Sequence, residues 1–317
     1  IGLPGDAASL IRAYLPSVVD PAERAQVLHL YLEAQRYLYD WSGVIKSAQA
    51  VAFIRSQSWS KHDTSELHVR QALWREKQAA LPSLLSSAEG CSTAEDAGAT
   101  HRLQAAIQAL VFADDLLDSA AFDRIYARSC VDFPLTRNSD LSTQRLHLIF
   151  HTIRGDLDHA VELAHHCVAS AERMNNPVLL SECLRNSLIP LRVAGHFPDA
   201  FENGARALEL TLESRIPDAV AITAIALAML RIAAGLPADA SEYATMALDQ
   251  MPLMSSAETK RELELIMATV AFYSGDLGRA SHHATSAIES PGRVISRPMI
   301  FDQCMRAIVA IHHDRRE

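Results

Sequence analysis

The sequence has few cysteines, and they follow no pattern of a metal or redox site. Its five cysteines are scattered through segments with helical patterning, and no two of them are spaced as C-x-x-C. An odd number of isolated cysteines favours buried, reduced thiols, as in a cytoplasmic protein. We therefore expect a cytoplasmic chain that carries no metal and no cofactor.

Basic residues are outnumbered by acidic ones, which bears on the choice of partner. Lys plus Arg number 29 against 38 for Asp plus Glu, giving a net charge of −9. A nucleic-acid surface needs a basic stripe, so we expect no direct binding of nucleic acid. The chain also lacks an apolar run of about 18 residues, the length of a membrane span, and we expect no membrane insertion.

Signals for strands and for common catalytic loops are missing as well. No segment shows a sustained alternation of apolar and polar residues, the pattern of a half-buried strand. The chain contains no G-x-x-x-x-G-K-[ST] or G-x-G-x-x-G loop and no G-x-S-x-G elbow. We therefore predict an all-α protein without catalytic residues.

What the sequence does contain is a repeat marked by glycines. Four glycines stand 40 residues apart, at Gly155, Gly195, Gly235 and Gly275. Small residues follow each glycine in register, and the last of them precedes an aliphatic residue. The three small positions and the aliphatic one are Ala160, Ala200, Ala240, Ala280; Ala164, Gly204, Ala244, Ala284; Cys167, Ala207, Ala247, Ala287; and Val168, Leu208, Leu248, Ile288. A fixed period of this length is typical of stacked helical repeats.

We interpret each glycine as the turn of a helical hairpin and the small residues as the seam where its helices meet. The predicted first helices are roughly Ser142–Arg154, Leu179–Ala194, Asp218–Ala234 and Ala257–Ser274. Less regular elements precede and follow them: helices beginning near Asp6, Pro21 and Val44, a loop over Glu89–Ala99, a pair over Arg102–Leu117 and Ala121–Cys130, and a closing helix over Pro298–Asp314.

The segments Gly155–Val168 and Gly275–Ile288 share the pattern G-D-L-x-x-A-x-x-x-A-x-x-C/A-aliphatic. This pattern resembles the turn and second helix of the tetratricopeptide repeat superfamily, over Gly155–Ser290 well and over Ala25–Cys130 loosely. The chain departs from that family in its longer period and in lacking the usual aromatic residues of both helices. The resemblance implies a right-handed superhelical solenoid of about seven antiparallel hairpins, with a concave groove lined mainly by first helices.

Under this resemblance, residues 1–317 form a single helical-repeat domain. Residues 1–100 supply less regular hairpins, residues 101–290 the regular repeats and residues 291–317 a closing helix. Because the chain begins with Ile1 and ends in a charged helical run, we expect a segment of a longer protein. Divergent repeats of this length resemble the sensor regions of bacterial signalling and transcription-regulating proteins, which implies a non-catalytic regulatory module.

The groove is the predicted binding site. Guanidinium groups bind carboxylates and phosphates through paired hydrogen bonds, and an apolar stretch at Ile222, Ile225 and Ile232 continues the arginine-rich part. This mixture suits a protein segment or peptide, with a small-molecule effector as an alternative. A solvated face with ion pairs such as Glu182 with Arg185 is the plainer interpretation. The predicted groove residues are Glu33, Arg36, Tyr37, Arg145, Glu182, Arg185, Asn186, Arg192 and Met229.

Two other functions deserve comparison with groove binding. The run Asp114-Asp115-Leu116-Leu117-Asp118 matches the D-D-x-x-D pattern with which all-α isoprenoid synthases hold Mg²⁺ against a diphosphate. No second acidic motif accompanies it, and the run falls at a predicted turn between helices, so we favour an architectural role. The third option is a homodimer, because an end hairpin with an uncovered apolar face can pair with its equivalent.

Histidines form the remaining candidate group. His147 and His151 are four residues apart on one predicted helix and could share a metal, whereas the doublets His165-His166, His282-His283 and His312-His313 diverge by about 100° on a helix. No H-E-x-x-H motif supports either arrangement. We predict partly exposed helix histidines and no metal site.

Overall fold

The computed structural model describes residues 4–38, 40–55, 127, 135, 141–254 and 257–289. Every regular element within these ranges is a helix, which confirms the all-α prediction. The chain divides into two units, residues 1–110 with 119–134 and residues 111–118 with 135–317. Each unit is described by itself, and the single domain over 1–317 stays a prediction.

The first unit contains three described helices. They are α1 (Pro4–Tyr14), α2 (Pro21–Tyr37) and α3 (Trp41–Arg55). The hairpin of α2 and α3 is closed by the buried side chains of Leu32, Val44 and Ala48. At its turn, the Asp40 carboxylate accepts a hydrogen bond from the Gly43 amide, at 2.9 Å. This contact satisfies one of the amides that the first turn of a helix leaves without a partner.

The second unit contains eight described helices. They are α4 (Leu141–Arg154), α5 (Leu157–Arg173), α6 (Pro177–Val193), α7 (Phe197–Ser214), α8 (Pro217–Ala233), α9 (Pro237–Gln250), α10 (Ala257–Tyr273) and α11 (Leu277–Glu289). The four predicted first helices are confirmed to within two residues at each end. Pro177, Pro217 and Pro237 open their helices, where the missing N–H of proline costs no helical hydrogen bond.

The four glycines lie at the turns between first and second helices, as predicted. Their φ angles are +74°, +81°, +77° and +77°, the left-handed region that suits glycine. At each turn the glycine amide bonds to the carbonyl three residues earlier, and the next amide bonds to the carbonyl five residues before it. At the first turn, the Gly155 amide donates to the Thr152 carbonyl at 3.3 Å, and the Asp156 amide donates to the His151 carbonyl at 3.0 Å. This is a Schellman motif, which ends one helix and immediately begins the next.

The small residues after each glycine are buried at the helix contacts, which confirms the predicted seam. Ala160, Ala200, Ala240 and Ala280 are all fully buried. A methyl group at Gly204 would collide with the side chain of Leu227, so α7 and α8 approach closely there. The aliphatic position is less regular than expected: Val168 is buried, but Leu248 is 36% exposed.

Packing joins each hairpin of the second unit to the next. Helix α5 contacts α6, α7 contacts α8, and α9 contacts α10, while α8 also contacts the first helices on either side of it, α6 and α10. One buried cluster accordingly combines residues of α4 through α7, including Leu148, Ala164, Cys183 and Ala207. Each hairpin therefore completes the core of its neighbour.

Several predictions fall outside the described residues. They concern Glu89–Ala99, Arg102–Leu117, Ala121–Cys130 except the helical residue 127, Pro298–Asp314, the run Asp114–Asp118 and the doublet His312-His313. Among the described helices, none combines the length and the apolar character needed to cross a membrane.

Candidate functional site

The predicted groove residues of α6 share one side of that helix. Glu182, Arg185, Asn186 and Arg192 are all partly exposed, and their spacing of three and four residues places them in one stripe. Ile189, which is 50% exposed, and the similarly exposed Val193 complete the stripe. We call these six residues the α6 face. Ile189 and Val193 were not predicted from the sequence, although their helical spacing from Arg185 places them on the same side of α6.

An ion pair connects the α6 face to the preceding first helix. Arg145 of α4 lies 3.3 Å from the carboxylate of Glu182, and both side chains are largely buried. The Nε of Arg145 is buried without a hydrogen bond to any described residue. Helical spacing predicted a pair of Glu182 with Arg185; the ion pair of Glu182 with Arg145, from another helix, was not predicted.

Arg192 lies at the end of α6 in a different environment. Burial lowers the pKa of its guanidinium. No carboxylate of the described chain lies within ion-pair distance of it, so the cost of removing this charge from water is not offset by a nearby acidic group.

A proline modifies the backbone of the same helix. Pro190 is buried inside α6, and because proline has no N–H, it cannot donate to the carbonyl of Asn186. The Asn186 carbonyl therefore lacks its usual helical donor.

The equivalent side of α8 is apolar. Ile222, Ala226 and Met229 are partly exposed at the same helical spacing, and we call them the α8 face. Met229 and Ile232 also pack against the core cluster of α8, α9 and α10. Ile225 was predicted to face the groove, and this is wrong: it is 2% exposed and belongs to that core.

The remaining predicted groove residues lie on α2, in the first unit. Glu33 and Tyr37 are partly exposed and four residues apart, so they lie on one side of the helix. Arg36 also lies on α2, where only its backbone is described. Whether these residues act together with the α6 face stays a prediction.

A polar cluster that the sequence did not predict lies at the turn between α4 and α5. The Nδ1 atoms of His151 and His159 each lie 2.9 Å from an oxygen of the Asp156 carboxylate. The two imidazole centroids are 5.3 Å apart. We call these three residues the turn cluster. Hydrogen bonds from His159 and then from His151 lower the pKa of the Asp156 carboxyl, and the bond to Asp156 raises the pKa of His159.

Helical spacing alone pointed to another partner for His151. The ring of His147 does stack on that of His151, with centroids 6.3 Å apart, but the hydrogen bond of His151 goes to Asp156, which also bonds to His159. Of the doublets, His166 is exposed and lies 3.8 Å from Glu162. His283 is largely buried and lies 2.7 Å from Glu264 of α10.

Turns elsewhere in the repeat place ordinary charge pairs at the same positions. Forty and eighty residues after the turn cluster, His196 lies 3.9 Å from Asp199, and Arg231 lies 3.6 Å from Asp239. Arg231 also stacks on the ring of Phe201, 4.2 Å from its centroid. Within the described ranges, only the turn cluster joins three groups of the kind that can hold a metal ion.

Comparison with known proteins adds no family to this description, because neither the protein-family models nor the curated proteins contain a match to the chain.

Proposed function

We propose that the chain is a tetratricopeptide-like, right-handed superhelical solenoid that binds an acidic, amphipathic protein segment in a concave groove. It would act as a non-catalytic module of a cytoplasmic signalling or transcription-regulating protein of bacterial type. The successive packing of hairpins, together with the contacts between first helices α6, α8 and α10, supports this arrangement.

The observation that carries the proposal is the composition of the α6 face. Arg185 and Arg192 flank Ile189, so that guanidinium groups, which bind carboxylates, alternate with an apolar side chain along one helix. An amphipathic helix or extended peptide with acidic and aliphatic side chains complements such a surface. The neighbouring α8 face supplies further apolar area at Ile222 and Met229.

The environment of Arg192 on α6 favours an acidic partner over a neutral one. Arg192 is partly desolvated without a described carboxylate nearby, so a carboxylate brought by a partner replaces lost solvation with a charge-assisted bond. Arg145 already has Glu182, so we assign it to holding the face in place.

A displayed peptide library selected against the whole chain tests the proposal. We expect enrichment of segments that combine Asp or Glu with aliphatic residues. With one selected peptide, Arg192→Glu should weaken binding measured by fluorescence anisotropy by at least about tenfold, or about 1.4 kcal/mol. Arg279→Glu is the matched control, since Arg279 is exposed on second helix α11 and the net charge changes equally.

Selected peptides without acidic residues, or equal affinities for the wild type and Arg192→Glu, would remove the α6 face as the binding site. Light scattering after size exclusion tests the homodimer in the same preparation: loss of the dimer on peptide binding would show that a second copy occupies this surface.

A further inference from the structure

We propose that His151, Asp156 and His159 form a binding site for a divalent transition-metal ion of the zinc type. The three side chains come from the last turn of α4, the connecting turn and the first turn of α5. One ligand atom from each lies within 4.8 Å of the others. Two imidazoles and one carboxylate are a donor set that zinc accepts in proteins, with a water molecule completing the coordination.

Two of the three distances between ligand atoms in the turn cluster are close to those of a loaded site, and the third is within 4.8 Å. Each Nδ1 is 2.9 Å from a carboxylate oxygen of Asp156. Zinc bonds of about 2.0–2.1 Å in a tetrahedron place neighbouring ligand atoms roughly 3.3 Å apart. An ion therefore enters by small side-chain rotations. It takes the place of the protons that the imidazoles share with Asp156, and each ring then carries its proton on Nε2.

The backbone holds the cluster in position before any ion binds. The Asp156 amide donates to the carbonyl of His151 at 3.0 Å, which ties one ligand residue to another through the turn. His159 lies one helical turn after Asp156, at the start of α5. Because Gly155 adopts a positive φ, the chain reverses within two residues and brings His151 beside the next helix. The backbones of all three ligand residues are therefore positioned before an ion binds.

The carboxylate of Asp156 is directed to the histidines and not to its own helix. Asp156 begins α5 but makes no side-chain bond to an α5 amide. At the equivalent turn, Asp276 accepts a hydrogen bond from the Arg279 amide at 3.0 Å, the usual role of an aspartate there. Two equivalent residues thus serve different purposes, and the difference coincides with the presence of the two histidines.

At another turn of the repeat, the positions equivalent to His151 and His159 hold an ordinary ion pair. Arg231 and Asp239 occupy the positions equivalent to His151 and His159 and form such a pair at 3.6 Å. A guanidinium has no lone pair to offer, so that turn cannot coordinate a metal. The turn cluster differs by presenting two imidazole nitrogens on one carboxylate. A bound ion would link the end of α4 to the start of α5 and stabilise that hairpin.

Zinc titration of the whole chain without an affinity tag tests the site, with calorimetry as the readout. We expect His159→Gln and His151→Gln each to weaken Zn²⁺ binding by at least about tenfold, since even residues that only orient metal ligands contribute that much. The matched control is His196→Gln at the next turn, where only His196 and Asp199 are present. Its Zn²⁺ affinity should equal that of the wild type.

Co²⁺ substitution gives a second readout that is independent of stability. A tetrahedral site should produce visible absorption bands in the wild type and in His196→Gln, and these bands should be absent from His159→Gln. His159 is exposed, so its replacement should leave the helical circular dichroism unchanged in the presence of a chelator. Equal Zn²⁺ affinities for wild type and both histidine variants, or no binding by the wild type at micromolar Zn²⁺, would overturn the proposal.

Discussion

The second helices and the first helices of the C-terminal repeats differ in what stays constant. Along the second helices, the seam holds alanine at 160, 200, 240 and 280, and all four are fully buried. Along the first helices, equivalent partly exposed positions change character, from Glu182 on α6 to Ile222 on α8 and Glu262 on α10. Backbone contact restricts the seam to small residues, whereas the exposed face is free to diverge, and we therefore look for function on that face.

Enlarging the seam should have the largest effect on stability. Ala240 is fully buried between helices, and Ala240→Leu should lower the free energy of unfolding by about 3 kcal/mol, because the added atoms force α8 and α9 apart. Ala238→Leu makes the same change on an exposed position of α9 and should stay within about 0.5 kcal/mol of the wild type. Urea unfolding measures both; equal midpoints would show that the seam is not tightly packed.

Replacing a turn glycine should have an intermediate effect on stability. Gly235 has φ +77° and no atom near its would-be Cβ, so Gly235→Ala isolates the conformational cost, about 1–2 kcal/mol. Asparagine tolerates the left-handed region better than alanine, and Gly235→Asn should lose less. Thermal unfolding gives the order Gly, Asn, Ala from most to least stable. An alanine variant as stable as the wild type would contradict the role of the turn.

The smallest expected effect concerns the chemical reactivity of cysteine. It tests whether Cys167, the cysteine of the seam, is buried. Burial raises the pKa of Cys167 to about 12 and that of Cys183 to about 11. At pH 8 the thiolate fraction is then at most about one in a thousand, so both should resist iodoacetamide in the folded protein and react after unfolding. Peptide mass spectrometry reads each site. Labelling of folded Cys167 at the unfolded rate would place it outside the core.

The same shifts set the direction of a pH effect. Both folded-state pKa values lie above the ordinary thiol value of 9.0, so the folded state retains the thiol proton more strongly than the unfolded chain. This contribution to stability is complete below pH 9 and is lost as the pH rises through about 11 for Cys183 and about 12 for Cys167.

Much of the fold was predictable because it depends on local restrictions. The turns at Gly155 and Gly195 need a positive φ, and the seam at Ala160 and Gly204 needs a small side chain; both requirements leave a mark in the sequence. The helix bounds followed from these marks and from the prolines. The cysteines at 167 and 183 are buried, which confirms the expected burial for these two.

The candidate sites were predicted less well, since apolar periodicity does not distinguish the sides of a helix that is apolar nearly all round. Helix α8 is of that kind, and Ile225 was assigned to the groove although it belongs to the core. The turn cluster was missed for another reason. Helical spacing pairs His151 with His147, but the chain reversal at Gly155 brings Asp156 and His159 beside it.

The sequence by itself determined where the chain turns and where helices meet closely, because each of those positions limits the residue through its own backbone. Only the tertiary structure decided which side chains meet across helices, such as Arg145 with Glu182 and His151 with His159. Such contacts depend on the angle and register between helices, which the packing of many distant residues sets together. The ion pair between Arg145 and the α6 face is a product of that packing, and in the turn cluster the chain reversal at Gly155 brings α4 and α5 together.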